Sequence, residues 1–475
     1  MDVFLMYALA VIAFAVLVYL LIKKMDIKMS LFLLGLVLMY AALLMGKPLS
    51  FKNFSGTGIV FLDPLKVIME QFKQTLSSAG FIILILGGYS AYMSHIEANQ
   101  VTVSVLLKSV KNVKSVYILV PLVFLIGNFL SLVIPSASNL AIILLATLLP
   151  VLLESGMSVL TAAAVIATTA TVMPTPLGGD NVAVAAELAN TAEFAGLTVS
   201  DYVFKYHALV SVPTLFVMAV VHFFWQKIMD KKSTDSATDN TLVVQKENTE
   251  VKRSALFTAV YGLLPLLPIV FLIAIFVLDV CFSVKIKLSV EVAVLCSFII
   301  AIICEIIRNK SVKKTLEGTE SFFKGMGNVI SVVALLVAAG VFVIGLKSIG
   351  IMEHLQSVMT GMTGSTGFIL PLVLLFLTAL IVLLSGSGTA LFYAMVPLMV
   401  PLAAAAGINV LALTIPLGLG GNLLRAVSPV SAVVVIVAGS VKKTPFEIVK
   451  RTSVPMVAGT AVMFVLSMIL FLGGK

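Results

Sequence analysis

The chain has 475 residues, 60% hydrophobic and only 11% charged, with a mean hydropathy of +1.15. Soluble domains run at about 45–50% apolar and about 25% charged, so this composition excludes a water-soluble globular fold. The net charge of +9 is not a nucleic-acid signal here, because basic residues beside membrane spans set orientation instead.

Read in chain order, the opening MDVFLMYALAVIAFAVLVYLLIKK is too long, and its positive charge comes too late, for a cleaved signal peptide. It reads as a first transmembrane helix over 3–22. Apolar runs follow at 29–46, 79–98, 116–134, 139–155, 158–190, 206–229, 255–279, 288–307, 326–346, 369–384, 389–405, 409–441 and 453–472, and their number and length predict a polytopic helical membrane protein. His95, in AYMSHIEAN, falls at the cytoplasmic end of its helix, where a structural or interfacial role is expected. Trp225, in HFFWQK, reads as an interfacial anchor. The stretch DKKSTDSATDNTLVVQKENTEVKR is polar enough to be a solvated linker. Cys281, Cys296 and Cys304 show no C-x-x-C spacing and read as ordinary apolar-environment residues, with no metal or disulfide role. The run PFEIVKR (445–451) reads as an amphipathic cytoplasmic helix on the membrane surface.

The halves on either side of the linker resemble one another. IPSASNLAIILLATLLP (134–150) and LSGSGTALFYAMVPLMVP (384–401) each place a small-polar turn inside an apolar run. Each is followed by an interrupted segment, ATTATVMPTPLGGDNVAVAAELA (167–189) and GGNLLRAVSPVSAVVVIVAG (420–439). Paired interruptions at matching positions point to a transporter built from internal repeats. If the small-polar turns are tips of hairpins that return to the side they came from, and 158–190 and 409–441 each cross once with a break, the predicted fold is an all-α polytopic membrane protein of two inverted repeats, each with a re-entrant helical hairpin and a broken transmembrane helix. Five segments follow: N-terminal helices and an outer loop (1–78), a first transport repeat (79–229), a cytoplasmic linker (230–253), connecting helices (254–325) and a second, inverted repeat (326–475). With the N-terminus outside, this topology places 21 of the 31 Lys and Arg residues on the cytoplasmic side and nine outside, leaving Arg425 in the membrane. That split satisfies the positive-inside rule. Two full spans in place of each hairpin give the same parity, so charge alone does not distinguish re-entry.

Four interruptions converge if the repeats pack face to face: 136–139, 175–181, 385–389 and 422–431. Broken helices leave backbone N–H groups unpartnered and carry partial positive charge at their N-termini, which suits anions. Ser136, Ser138, Asn139, Ser385, Ser387, Thr389, Asn422 and Ser428 add polar side chains there. Prolines at 135, 174, 176 and 429 explain where the helices stop. The competing reading is that small residues merely permit tight helix packing. Arg425, with Asn422 one turn away on the same face, can hold a carboxylate bidentately, or else pair structurally with a carboxylate such as Asp180. Asp180, in PLGGDN, can act as a coupling group, pair with Arg425, or help coordinate a cation.

The segments AYMSHIEAN, HFFWQ, LLVAAGVF, SGSG, NLLRAVSPVSAVVV and PFEIVKRTSVP, taken together, resemble the anaerobic C4-dicarboxylate transporters of the Dcu type C family, within the larger ion transporter superfamily. The likeness runs nearly end to end. It implies carriage of succinate, fumarate, malate or aspartate across the inner membrane, chiefly succinate efflux by proton symport or by exchange. It also implies elevator-like movement, often in a homodimer. Sodium-coupled members of the superfamily carry Ser-Asn-Thr at both hairpin tips, whereas this chain has Ser138-Asn139-Leu140 and Ser387-Gly388-Thr389. A sodium requirement is therefore not carried over, and the coupling ion stays open between protons and sodium. A carrier of another small organic anion or amino acid is the alternative on the same scaffold. A membrane enzyme lacks support, since the chain has no H-E-x-x-H, no Walker A pattern and only four histidines. No cofactor is expected, and matched hairpins suit alternating access better than a channel's continuous pore.

Overall fold

The computed structural model of the protein describes residues 2–23, 25–51, 54–108, 110, 113, 115–232, 254–282, 286, 288–351, 354 and 367–473. The expected linker lies outside the described residues beyond Lys232. Every regular element among the described residues is helical, and eight helical stretches are long and apolar enough to cross a membrane. In a bilayer this is what backbone hydrogen bonding demands, because a helix satisfies its N–H and C=O groups internally.

Helices α1 (Asp2–Ile22) and α2 (Ile27–Leu44) open the chain, with the Asp26 side chain capping α2 by accepting from the Met29 N–H. The stretch expected as an outer loop holds a further helix, α3 (Asp63–Thr75). Its sequence DPLKVIMEQFKQT is too mixed to read as a span, but Val67 and Ile68 share one face and pack with Met39, Val337, Val341 and Ile344 in a small separate core. A π turn at Leu76–Gly80, with Ser78 outside helical geometry, joins α3 to α4 (Phe81–His95). Next come α5 (Ala98–Leu107), the pair α6 (Val116–Leu130) and α7 (Ala137–Thr147), and a short continuation, α8 (Leu149–Glu154).

The run 158–190 is two helices, α9 (Val159–Ala167) and α10 (Gly179–Ala189), separated by a non-helical, turn-rich stretch. A second π turn, Tyr202–His207, leads into α11 (Ala208–Lys232). Helices α12 (Ala255–Leu263) and α13 (Leu267–Phe282) are joined by one tighter turn, Leu264–Leu266, that contains Pro265, then α14 (Val290–Asn309), α15 (Val312–Gly318) and the long α16 (Glu320–Ser348) follow. The second half repeats the order of the first. A helix pair, α17 (Ile369–Ser385) and α18 (Thr389–Ala406), precedes a split helix, α19 (Leu411–Arg425) and α20 (Ala432–Ser440), and then a long helix, α21 (Pro445–Phe471).

Helix α16 lies against α2 and α4 and also touches α18. The approach is close because Gly35 faces the Val341–Phe342 backbone, where a Cβ would come within 2.7 Å. In the other part, α17 and α18 flank α19, while α6 and α7 flank α9. The two halves then cross over, α7 packing on α20 and α10 on α18.

One expectation is corrected. PFEIVKR is not a separate surface helix but the first turns of α21, started by a capping box in which Thr444 and Glu447 exchange hydrogen bonds. Arg451 within it is only 2% exposed, and its Nη1 lies 2.6 Å from Asp230 Oδ1 of α11. The same guanidinium donates to Thr161 Oγ1 of α9 at 3.2 Å, and Gln226 Nε2 donates to the Arg451 carbonyl at 2.9 Å. Three helices thus converge on a residue whose charge suggested a surface.

Candidate functional site

The break between α9 and α10 follows from the residues in it. Thr168 and Thr169 turn their hydroxyls back onto the last carbonyls of α9, Thr168 Oγ1 donating to Val165 O at 2.9 Å and Thr169 Oγ1 to Ile166 O at 2.8 Å. Pro174 and Pro176 cannot donate backbone hydrogen bonds, and Ala170 takes a left-handed φ of 60°. The loosened chain is held by buried Asn128 of α6. Its Oδ1 accepts from the Thr171 N–H and hydroxyl, both at 2.9 Å, and its Nδ2 donates to Thr168 O at 3.4 Å. The chain re-enters a helix at Gly179, with Asn181 Nδ2 donating to Thr175 O at 2.9 Å.

The second break is secured in a comparable way. Ser428, fully buried, donates to Leu383 O of α17 at 3.1 Å, and Ser431 caps α20. Thr452 of α21 donates to Ala426 O at 2.6 Å. At Gly386 and Gly388 the tip between α17 and α18 comes down on this break. Gly386 has φ +78°, and a Cβ there would lie 2.6 Å from Val430 O. Only glycine suits both constraints.

The two broken helices touch one another. Asn422 Nδ2 of α19 donates to Asp180 Oδ2 of α10 at 3.3 Å, and Arg425 Nη2 donates to Ala170 O at 2.7 Å. Arg425 therefore braces the opposite break rather than pairing directly with Asp180. Beside this junction is a cavity of about 330 Å³. Its walls come from both breaks, from the α18 start at Gly388 and Thr389, and from Ile83, Tyr89 and Ser90 of α4 with Val329 and Val332 of α16.

Of the residues expected to form a site, Asp180, Thr389, Asn422 and Arg425 line this cavity. Ser136, Ser138, Asn139, Ser385, Ser387 and Ser428 do not. Several of those serve the backbone: Ser136 caps α7, Ser385 Oγ donates to Ile381 O, and Ser387 Oγ accepts from the Thr389 N–H. Asn128, Tyr89, His207 and Tyr393 are structural or cavity residues that the sequence reading did not single out. The asparagine inside the apolar run VFLIGNFL was a usable signal, since a buried amide must find partners.

The cavity thus combines one guanidinium, one carboxyl, two amides, hydroxyls and two helix N-termini within apolar walls. This is a set that can hold a small anion by charge-assisted hydrogen bonds. Among the described residues there is no group of three His, Cys, Asp or Glu placed to hold a metal.

Comparison with known proteins adds a family. A model described as "C4-dicarboxylate anaerobic carrier" matches residues 5–472. The anaerobic C4-dicarboxylate transporter DcuC of Escherichia coli K12 is 36% identical over 92% of this chain and 90% of its own. A probable transporter of the same name from Vibrio cholerae is 35% identical over 92% of this chain and 91% of its own. Among solved structures, the Alcanivorax borkumensis YdaH transporter matches with a TM-score of 0.67 at 14% identity, over 93% of this chain and 97% of that one. Neisseria gonorrhoeae MtrF, one of a class of antimetabolite efflux pumps, matches at 0.59 and 14%, over 94% and 97%. At that identity the structural likeness concerns the fold alone.

Proposed function

The chain belongs to the C4-dicarboxylate anaerobic carrier family, and on that premise we propose that it is a secondary carrier of succinate, fumarate, malate or aspartate. Net flux is succinate efflux coupled to protons, with dicarboxylate exchange as the second mode. The observation that carries this reading is the junction of the two broken helices, where Asn422 meets Asp180 and Arg425 meets Ala170 beside the cavity. One carboxylate of the substrate takes the guanidinium of Arg425 and the N–H groups that begin α18. Asp180, linked to Asn422 and beside the same cavity, is the group that exchanges a proton between the two sides. The crossed packing of α7 on α20 and of α10 on α18 supports two inverted repeats moving as one body against α2, α4 and α16, in a homodimer.

The test is uptake of labelled succinate into proteoliposomes, with pH and sodium gradients imposed separately. A pH gradient is expected to drive uptake and a sodium gradient to leave it unchanged. Asp180→Asn is expected to spare succinate-for-fumarate exchange, which needs no net proton movement, while removing pH-driven flux. Equal loss of both assigns Asp180 to substrate binding instead, and survival of both moves the coupling group elsewhere.

A further inference from the structure

A C4-dicarboxylate brings two negative charges, and Arg425 answers one of them. Among the residues lining the cavity, only one other side chain can carry a positive charge, and that is His207. Its surroundings set it apart from a packed core histidine. The ring is 4% exposed, yet its Nδ1 has no hydrogen-bond partner among the described residues. A buried polar nitrogen left in that condition is unfavourable unless something else completes it. The ring makes an edge contact with Tyr202, centroids 6.1 Å apart, and that contact leaves Nδ1 unsatisfied.

The backbone also singles out this position. His207 is the last residue of the π turn Tyr202–His207, where the chain takes a wider turn before α11 begins. Such turns occur mostly as single bulges, often at functional sites, because the extra residue re-aims the side chains that follow. This one is fixed at its start by the Thr198–Asp201 capping box and by the ion pair of Lys205 with Asp201 at 2.5 Å. The π turn is thus anchored at one end and delivers His207 to the cavity wall at the other.

Resting on the dicarboxylate reading above, we propose that His207 is the second anchor of the substrate: its ring N–H holds the carboxylate that Arg425 does not. An imidazole donates from one nitrogen when neutral and from both when protonated, so the contact is available in either state. The consequence is specificity. The cavity favours a four-carbon acid with a carboxylate at each end over one with a single carboxylate, because the monoacid leaves the histidine unanswered.

The test uses the full-length protein in proteoliposomes, with unlabelled succinate and butyrate competing against labelled succinate in counterflow. His207→Ala is expected to raise the half-saturating concentration of succinate about tenfold or more, the usual effect of losing a hydrogen bond to a charged group, while leaving butyrate within about twofold. His207→Gln, which keeps an N–H donor, is expected to recover part of the loss. The proposal is overturned by an alanine variant that discriminates as the wild type does. It is overturned equally if both acids weaken together, or if the protein no longer elutes as a single species in detergent while the glutamine variant shows no preference for succinate. A wild-type protein that takes butyrate as readily as succinate overturns the dicarboxylate reading itself, a result separate from any effect of the histidine.

Discussion

Arg425 does two jobs with one guanidinium, bracing Ala170 O at 2.7 Å and lining the cavity. Arg425→Ala should abolish dicarboxylate transport while the protein still inserts, since a hydrogen bond to a charged group is worth about 1.5–3 kcal/mol. Arg425→Lys should also be impaired, because an ammonium lacks the planar fork that serves a carboxylate and a carbonyl together. Succinate transport by either variant, normalised to protein in the membrane, decides it, and near-normal transport by the alanine variant would sink the site. The partner of this arginine carries strain of its own. Ala170 holds φ 60°, a region that costs an L-residue roughly 1–2 kcal/mol. Ala170→Gly should therefore keep or raise the thermal midpoint in detergent, and Ala170→Val, branched beside a crowded backbone, should lower it. If valine is tolerated as well as glycine, the left-handed turn at the break is not needed.

The elements show why some of this was legible in the sequence and some was not. Both breaks were readable, because Pro174, Pro176, Pro429 and the glycines beside them leave an apolar run no way to continue as a helix. The hairpin tips were readable as turns, but that Ser136 and Ser385 place their hydroxyls on their own backbone was not. His207 was silent, since hydrophobic periodicity does not report which residue at the start of a span faces inward. Arg451 misled for a different reason: its partner, Asp230, is far away in the chain. Removing one member of such a buried pair typically costs about 3–5 kcal/mol, so Arg451→Met or Asp230→Asn should lower the thermal midpoint. Replacing both, as Arg451→Met with Asp230→Leu, should restore much of it. The contact of α6 with the first break is testable in the same manner. A Cβ on Gly127 would run into the Thr169 methyl, so Gly127→Ala should destabilise despite alanine's better helix propensity. Thr169→Ser, which removes that methyl, should rescue it in the double variant. An alanine at 127 that is harmless alone would show that α6 and the break do not pack this closely.

At the scale of the whole molecule, contacts at and near the helix ends sort the chain into two ends. Tyr7 reaches His354, Lys47 reaches the Ile349 carbonyl, and Asn409 reaches Glu193. The other set joins Arg308 to the Ile96 carbonyl, Ser158 to Asp230, and Asp230 to Arg451. No contact in either set joins a helix end or loop assigned outside by the basic-residue count to one assigned inside. Geometry thus groups the loops, and the excess of Lys and Arg says which group faces the cytoplasm. On this assignment hairpin α6–α7 is expected to open toward the cytoplasm and hairpin α17–α18 toward the outside, the inverted arrangement proposed above. Single cysteines at 60 and 193, in a background without Cys281, Cys296 and Cys304, should react with a membrane-impermeant maleimide added to intact cells. Cysteines at 156 and 445 should react only after the membrane is opened. The pair 156 and 193 carries the most information, because these positions bracket α9 and α10. Opposite accessibility means the broken helix crosses once, as an inverted repeat requires. Labelling of both from the same side would make α9 and α10 a second hairpin, reverse the sidedness of every later element, and leave Lys442, Lys443, Lys450 and Arg451 on the outside against the charge rule.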